Sequence, residues 1–156
     1  MPVFNFFHWN QDAGGSTLED SGPIIPVTIG IPGALEEFCV EKGFQIPPAA
    51  SGYALIDTGA SASAVHEQIL LDMGVLPLDS IPTQTTHGAG RSFVYPAKVA
   101  FPAMNVENYR MDRLIGSQLN WTTKDGKQII MLLGRDILKY MLLVYNGVSS
   151  DVHLSF

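Results

Sequence analysis

ALIDTGAS, Ala54 to Ser61, sets an aspartate at the end of an apolar run and follows it with threonine, glycine and small residues. YALI, Tyr53 to Ile56, is the short continuous apolar run of a buried strand, and PPAASG before it is a turn-rich bridge. Asp57 therefore stands where a buried strand ends. An aspartate there has a bland use, capping the helix that follows the loop. It also has three chemical uses. A phosphatase of the haloacid-dehalogenase type needs a second aspartate two positions on to hold Mg²⁺, and position 59 is glycine. An actin-like ATPase needs two Asp-x-Gly phosphate loops in two halves of a much longer chain. The third is acid proteolysis, in which two carboxylates share a proton and activate a water between them. A chain with one DTG supplies two such carboxylates only as a dimer about a two-fold axis.

The 156 residues suffice for one domain with a real core. Hydrophobic residues make up 46% and charged residues 15%, against roughly 25% charged in an average soluble domain, so some apolar surface is expected to meet a partner subunit. Nine Lys and Arg face fifteen Asp and Glu for a net charge of -6, without a basic cluster, which argues against nucleic acid as a partner. The single cysteine, Cys39, allows no intrachain disulfide, and no Cys/His set spells a metal site. A cytoplasmic setting fits. MPVFNFFHWN lacks Lys and Arg and is broken by Asn5, His8 and Asn10, so neither a signal core nor a membrane span is expected.

Residues 1–22 read as an N-terminal arm ending in a flexible Gly-rich segment, and residues 23–156 as the packed domain. PIIPVTIG is a strand in which Pro26 points to an edge or a bend. Leu35, Phe38 and Cys39 share a helical face over Ala34 to Lys42, with Gly43 as the stop and Cys39 a small buried hydrophobe. Val65, Ile69, Leu70 and Met73 predict a second helix directly after the DTG loop, started near His66 and stopped by Gly74. Ile81 to Ala103 reads as a hairpin whose tip is His87, Gly88, Ala89 and Gly90. A strand over Tyr109 to Ile115 and a polar turn TTKDGK follow. The chain closes with a buried strand ending in Gly134, a helix over Arg135 to Tyr140, and a hairpin turning at Asn146 and Gly147.

These residues resemble the retropepsin-like aspartic proteases, the retroviral-type enzymes and their bacterial relatives. Two motifs carry the likeness: ALIDTGAS at 54–61, and IIMLLGRDIL at 129–138, which is similar to that family's apolar-apolar-Gly-Arg-Asp/Asn signature. Their order, with the glycine-tipped hairpin between them, strengthens it. The resemblance implies an all-β fold with short helices, a closed single-domain barrel, and an aspartic endopeptidase that is active as a homodimer on peptide or protein. It implies no metal and no cofactor.

By the same resemblance Asp57 is the catalytic carboxylate, one from each subunit, supported by Thr58, Gly59 and Ala60. Thr58 would bond across the axis. His87, Gly88, Ala89 and Gly90 would form a flap over substrate, Leu132 a pocket wall, and Gly134, Arg135 and Asp136 the structural signature behind the loop. Retroviral enzymes pair that Arg with an acidic residue after DTGA. Ser61 stands there in this chain, so Arg135 needs another partner. The alternative reading is the same fold kept as a peptide- or protein-binding homodimer with hydrolysis weak or lost. A further one is a structural homodimer joined by the apolar strand Val152 to Phe156.

Overall fold

The computed structural model describes residues 6–10, 18–85, 88–119 and 121–155. Its strands are β1 (Phe6–Asn10), β2 (Ile24–Gly30), β3 (Ala50–Ile56), β4 (Ala64–His66), β5 (Asp79–Thr85), β6 (Gly88–Phe101), β7 (Val106–Ser117), β8 (Trp121–Thr122), β9 (Gln128–Leu133), β10 (Leu142–Asn146) and β11 (Asp151–Ser155). Its α-helices are α1 (Leu18–Ser21), α2 (Gly33–Lys42), α3 (Glu67–Asp72) and α4 (Arg135–Leu138).

Six strands pair in the order β2-β3-β9-β4-β7-β6, and β6 returns to β2 through Thr28–Ala100, Ile29–Val99 and Gly30–Lys98. The ring is closed. This is the all-β barrel with short helices that the motifs lead one to expect. Closure removes the unpaired edges that an open sheet would leave. Strand alternation fills the inside: Ile25, Val27 and Ile29 of β2, Ala54 and Ile56 of β3, and Val65, Val99, Leu114, Met131 and Leu133 belong to one buried cluster. Pro26 lies in the half of β2 that pairs only with β3, where a missing N–H costs least.

Gly43 adopts the left-handed conformation, φ 69°, and ends α2 while Phe44 N–H reaches Cys39 O at 2.8 Å. Leu35 and Cys39, one turn apart, face the barrel. Phe38 does not. It is 47% exposed and packs on Phe44 with ring centroids 6.1 Å apart, since the helix turns its Leu35 and Cys39 side inward.

Other expectations are corrected by long-range pairing. The helix predicted directly after the DTG loop is a strand first: Ala64–His66 lies between β9 and β7, and only Glu67–Asp72 is helical. The ladder bonds of two neighbours outweigh a helical pattern three residues long. Gly74, φ 75°, still stops α3. In the hairpin, Gly88 to Gly90 pair with Thr85 to Thr83 as part of β6, so they form the arm and not the tip, and His87 lies outside the described residues. The final helix stops at Leu138, short of Tyr140. The last hairpin turns later than Asn146 and Gly147, its loop folded around Asn146 Oδ1, which accepts the N–H groups of Val148 and Ser149.

The packed body also begins earlier than Pro23. β1 pairs antiparallel with β11 from Phe6–Ser155 to Asn10–Asp151, and Leu18 of α1 is buried in the core. β11 is thus the middle strand of a separate sheet β1-β11-β10. With both of its edges occupied inside one chain, it cannot be the strand that joins two copies.

A part-buried hydrogen bond ties α3 to β6. Tyr95, 1% exposed, donates its hydroxyl to Glu67 Oε1 at 2.7 Å, and Gly116 makes the room, since a Cβ there would lie 2.8 Å from both partners. Burial first, and then the Glu67 carboxylate, push the phenol up to about 12 from 10.0. A phenol held neutral in the fold stabilises it below the unfolded value and ceases to do so as pH climbs through the folded one. The protein is therefore expected to lose about 2–3 kcal/mol between roughly pH 10 and 12 from this group. Urea denaturation across that window should show the slope in wild type and a flatter curve in Tyr95→Phe.

Candidate active site

β3 carries the chain to Asp57 along β9 in parallel register, and Asp57 N–H continues the ladder to Leu133 O at 3.0 Å. The loop then folds back on the carboxylate. Oδ1 accepts the N–H groups of Gly59 at 2.9 Å and Ala60 at 3.2 Å. Asp57 thus performs the bland task of closing its own turn, but with one oxygen. Among the described residues Oδ2 accepts no hydrogen bond, and the residue is half-buried between exposed Thr58 and the barrel wall. A Cβ at Gly59 would stand 3.1 Å from Oδ1, so a residue without one suits the place.

The second motif holds this loop from behind. Gly134 crosses it so closely that a Cβ would lie 2.6 Å from the carbonyl carbon of Ala62 and 2.9 Å from Ser63 N. Arg135 N–H donates to Ala60 O at 2.9 Å. The Arg135 guanidinium, with Ser61 where a carboxylate would otherwise stand, turns to the main chain: Nη1 donates to Thr58 O at 2.7 Å and Gly59 O at 3.1 Å. Two carbonyls thus replace one acidic side chain, and a rigid planar donor suits them.

Asp136 completes the lock by accepting Ser63 N–H at 2.9 Å and Ser63 Oγ–H at 2.7 Å, while Ser63 Oγ accepts Gly134 N–H at 2.9 Å. Ser63 is fully buried, and sequence reasoning missed it. A serine within ASASAV carries no local signal, because its partners are more than seventy residues away. Ser63→Ala would leave the buried Gly134 N–H without its partner and take from Asp136 Oδ1 one of its two hydrogen bonds, the other coming from Ile137 N–H. Its expected cost is about 1–3 kcal/mol by chemical denaturation, while Ser63→Thr, which keeps the hydroxyl, should cost less.

Register assembles a lane beside Asp57. Leu55 pairs with Leu132, Leu132 with Ala64, Ala64 with Ile115, and Ile115 with Val94. Directly paired residues share a face, so these five line the side of the wall opposite the core cluster, and the alternation of β3 brings Asp57 out on the Leu55 side. Leu132, the expected pocket wall, is half-buried in this lane; Leu133 is a core residue whose carbonyl holds Asp57. Leu55, Ala64, Ile115 and Val94 were not singled out from the sequence, since pairing across five strands is not written in any one of them. An apolar cavity of about 280 Å³ lies behind α4, lined by Phe101, Val106, Tyr109, Ile137, Tyr140 and Met141, and does not include Asp57.

The hairpin of β5 and β6 is tied on both faces. Thr83 Oγ1 and Ser92 Oγ are 2.9 Å apart on the face of Val94, and on the other face Arg91 Nη2 donates to Ser80 O at 2.8 Å. Gly88, Ala89 and Gly90 are exposed, and a Cβ at Gly88 or Gly90 would meet open space. Space does not impose their small size, although Gly88, at φ 115°, holds a backbone conformation that favours glycine.

Residues 51–137, more than half of the chain, match the model of a family described as aspartyl protease. Among solved structures the chain is similar to the solution structure of simian foamy virus (mac) protease, at 17% identity and a TM-score of 0.43, over 74% of this chain and 92% of that one. No curated protein matches it.

Proposed function

The chain belongs to the aspartyl protease family, and from that premise we propose that it is an endopeptidase whose site is completed by a second copy of itself. One DTG supplies one carboxylate, and the chemistry needs two. Asp57 of each copy would face the other across a two-fold axis. Two acids so close cannot both ionise cheaply, so the pair holds one proton. The ionised member takes a proton from water as the water attacks the peptide carbonyl. The protonated member donates to the carbonyl oxygen.

The observation that carries this reading is the division of labour at Asp57: Oδ1 is held by two backbone N–H groups while Oδ2 accepts nothing among the described residues. A carboxylate used only to close a turn needs no second anchoring from Arg135 and Asp136 behind it. Thr58, exposed at the loop, would bond across the axis, and Gly59 and Ala60 would leave space for substrate backbone. Gly88, Ala89 and Gly90 would move as part of a hairpin that closes over an extended peptide and excludes water. Of the lane, Leu55, Leu132 and Ile115 are half-buried while Ala64 and Val94 are buried, so an aliphatic side chain beside the cut bond would meet the first three.

The reading is tested by digesting a peptide library with wild type and with Asp57→Asn. Cleavage by wild type alone, at bonds flanked by aliphatic residues, is the expected result. Equal cleavage by both proteins would reject it.

A further inference from the structure

We propose that the apolar cavity behind α4 is a binding site for a small, uncharged aromatic molecule of two fused rings, separate from the peptide site. Nothing in it depends on acid proteolysis. Burial is graded as in a pocket: Phe101 and Ile137 are fully buried at its floor, Val106, Tyr109 and Met141 are half-buried, and Tyr140 is exposed at its mouth. The space has a structural cause. β6 and β7 pair Val99 with Tyr109 and Phe101 with Val106, so two steps along β6 face three along β7. The extra residue bulges and bends β7. The Pro102–Met104 turn, closed by Asn105 N–H on Pro102 O at 3.2 Å with Asn105 at φ 55°, fixes both strand ends. On the other side the chain after α4 keeps its turn, Tyr140 N–H bonding Ile137 O at 3.1 Å and Met141 N–H bonding Leu138 O at 3.0 Å. Both walls are thus held by backbone bonds.

The lining sets the class of ligand. Among the described residues, none that lines the cavity is an acid or a base, and an ion taken in would lose its water without gaining a partner. Burial first, and then Tyr140 and Asp136, push the Tyr109 phenol up, so it meets a ligand as a neutral group. Phe101, Tyr109 and Tyr140 offer ring faces and edges, and Met141 a thioether. Such contacts favour an aromatic ring over a saturated one of the same size. An apolar cavity of about 150 Å³ suffices for benzene. This one, at about 280 Å³, has room for a second ring. Its occupant would touch α4 at Ile137, whose N–H bonds Asp136 Oδ1 at 3.0 Å, and Asp136 holds Ser63 behind the DTG loop. Neither Asp57 nor the apolar lane lines the cavity, so peptide and this ligand would not compete.

The probes are naphthol, its saturated counterpart decahydronaphthol, and the anion naphthoate, added to isotope-labelled full chain and followed by nuclear magnetic resonance. Naphthol should shift the methyl resonances of Ile137 and Met141 with a dissociation constant on the order of 10⁻⁴ M. Decahydronaphthol should bind about fivefold more weakly, and naphthoate should leave both methyls in place. Asp57→Asn should bind naphthol as wild type does, which separates this outcome from that of the protease reading. Val106→Phe puts a ring into the cavity and should abolish the shifts, with circular dichroism unchanged. Tyr140→Ala, at an exposed position, removes part of the mouth and should weaken naphthol by about threefold. The proposal is overturned if millimolar naphthol leaves both methyls in place, or shifts the exposed Phe38 and Phe44 instead. It is overturned equally if naphthoate binds as well as naphthol, or if a folded cavity variant binds naphthol as tightly as wild type.

Discussion

Asp57→Asn is expected to lower peptide cleavage by about four orders of magnitude, the scale seen when a group that handles the reacting proton is removed. The amide keeps an oxygen to accept the Gly59 and Ala60 N–H groups that Oδ1 now accepts, so the loop keeps its shape and the loss reports chemistry. What it cannot do is share a proton with a second carboxylate. Mixing makes the test sharper. If each site takes one carboxylate from each copy, adding excess Asp57→Asn protein should poison wild type in proportion to the mixed dimers formed, because one substituted chain inactivates a whole site. A site built within one chain would show only dilution. The wild-type pH profile should be bell-shaped, since the pair is inactive when both carboxylates are ionised and when both are protonated.

Gly134→Ala is expected to be the most damaging single methyl in the chain. The added carbon would lie 2.6 Å from Ala62 C and 2.7 Å from Ala62 O, and both are backbone atoms that cannot rotate away. Either the GRD segment or the DTG loop must move, and with them go the bonds from Gly134 N–H to Ser63 Oγ and from Arg135 N–H to Ala60 O. A loss of about 3 kcal/mol or more is expected, at the upper end of overpacking effects. Guanidinium titration would measure it. Cleavage should fall beyond what the unfolded fraction explains, since the displaced loop carries Asp57. Gly43→Ala gives the contrast. Its φ of 69° strains an alanine, yet a Cβ there meets nothing within 4 Å, so about 1 kcal/mol and no loss of activity are expected. Equal effects of the two substitutions would show that close contact at Gly134 is not what holds the loop.

How far such features could be read in advance depends on how far apart the interacting residues lie. The helix stop at Gly43, the left-handed Gly74 and the turn at Thr123–Lys127 are set by neighbours a few positions away, and each stands where local chemistry puts it. The stretch from Ala64 to His66 has helical spacing but is a strand, because β7 and β9 offer it ladder bonds that its own sequence does not announce. Phe38 matched an apolar face by spacing and is exposed, because packing of Leu35 and Cys39 against the rest of the domain sets which side of α2 faces inward.

The same division runs through the site. DTG at a strand end and GRD after another are short words, legible as they stand, and one DTG per chain already dictates that a second copy is needed for acid proteolysis. Local chemistry also places the aspartate at the mouth of a strand and glycine where backbones cross. Tertiary structure decided the rest: that Arg135 clamps two carbonyls in place of a carboxylate, that Ser63 bridges Gly134 and Asp136, that five strands lay an apolar lane beside Asp57, and that β11 is enclosed while β10 is left open. The physical reason is range. Propensity and turn chemistry act over a few residues, whereas these contacts join positions that only closure of the barrel brings within hydrogen-bonding distance.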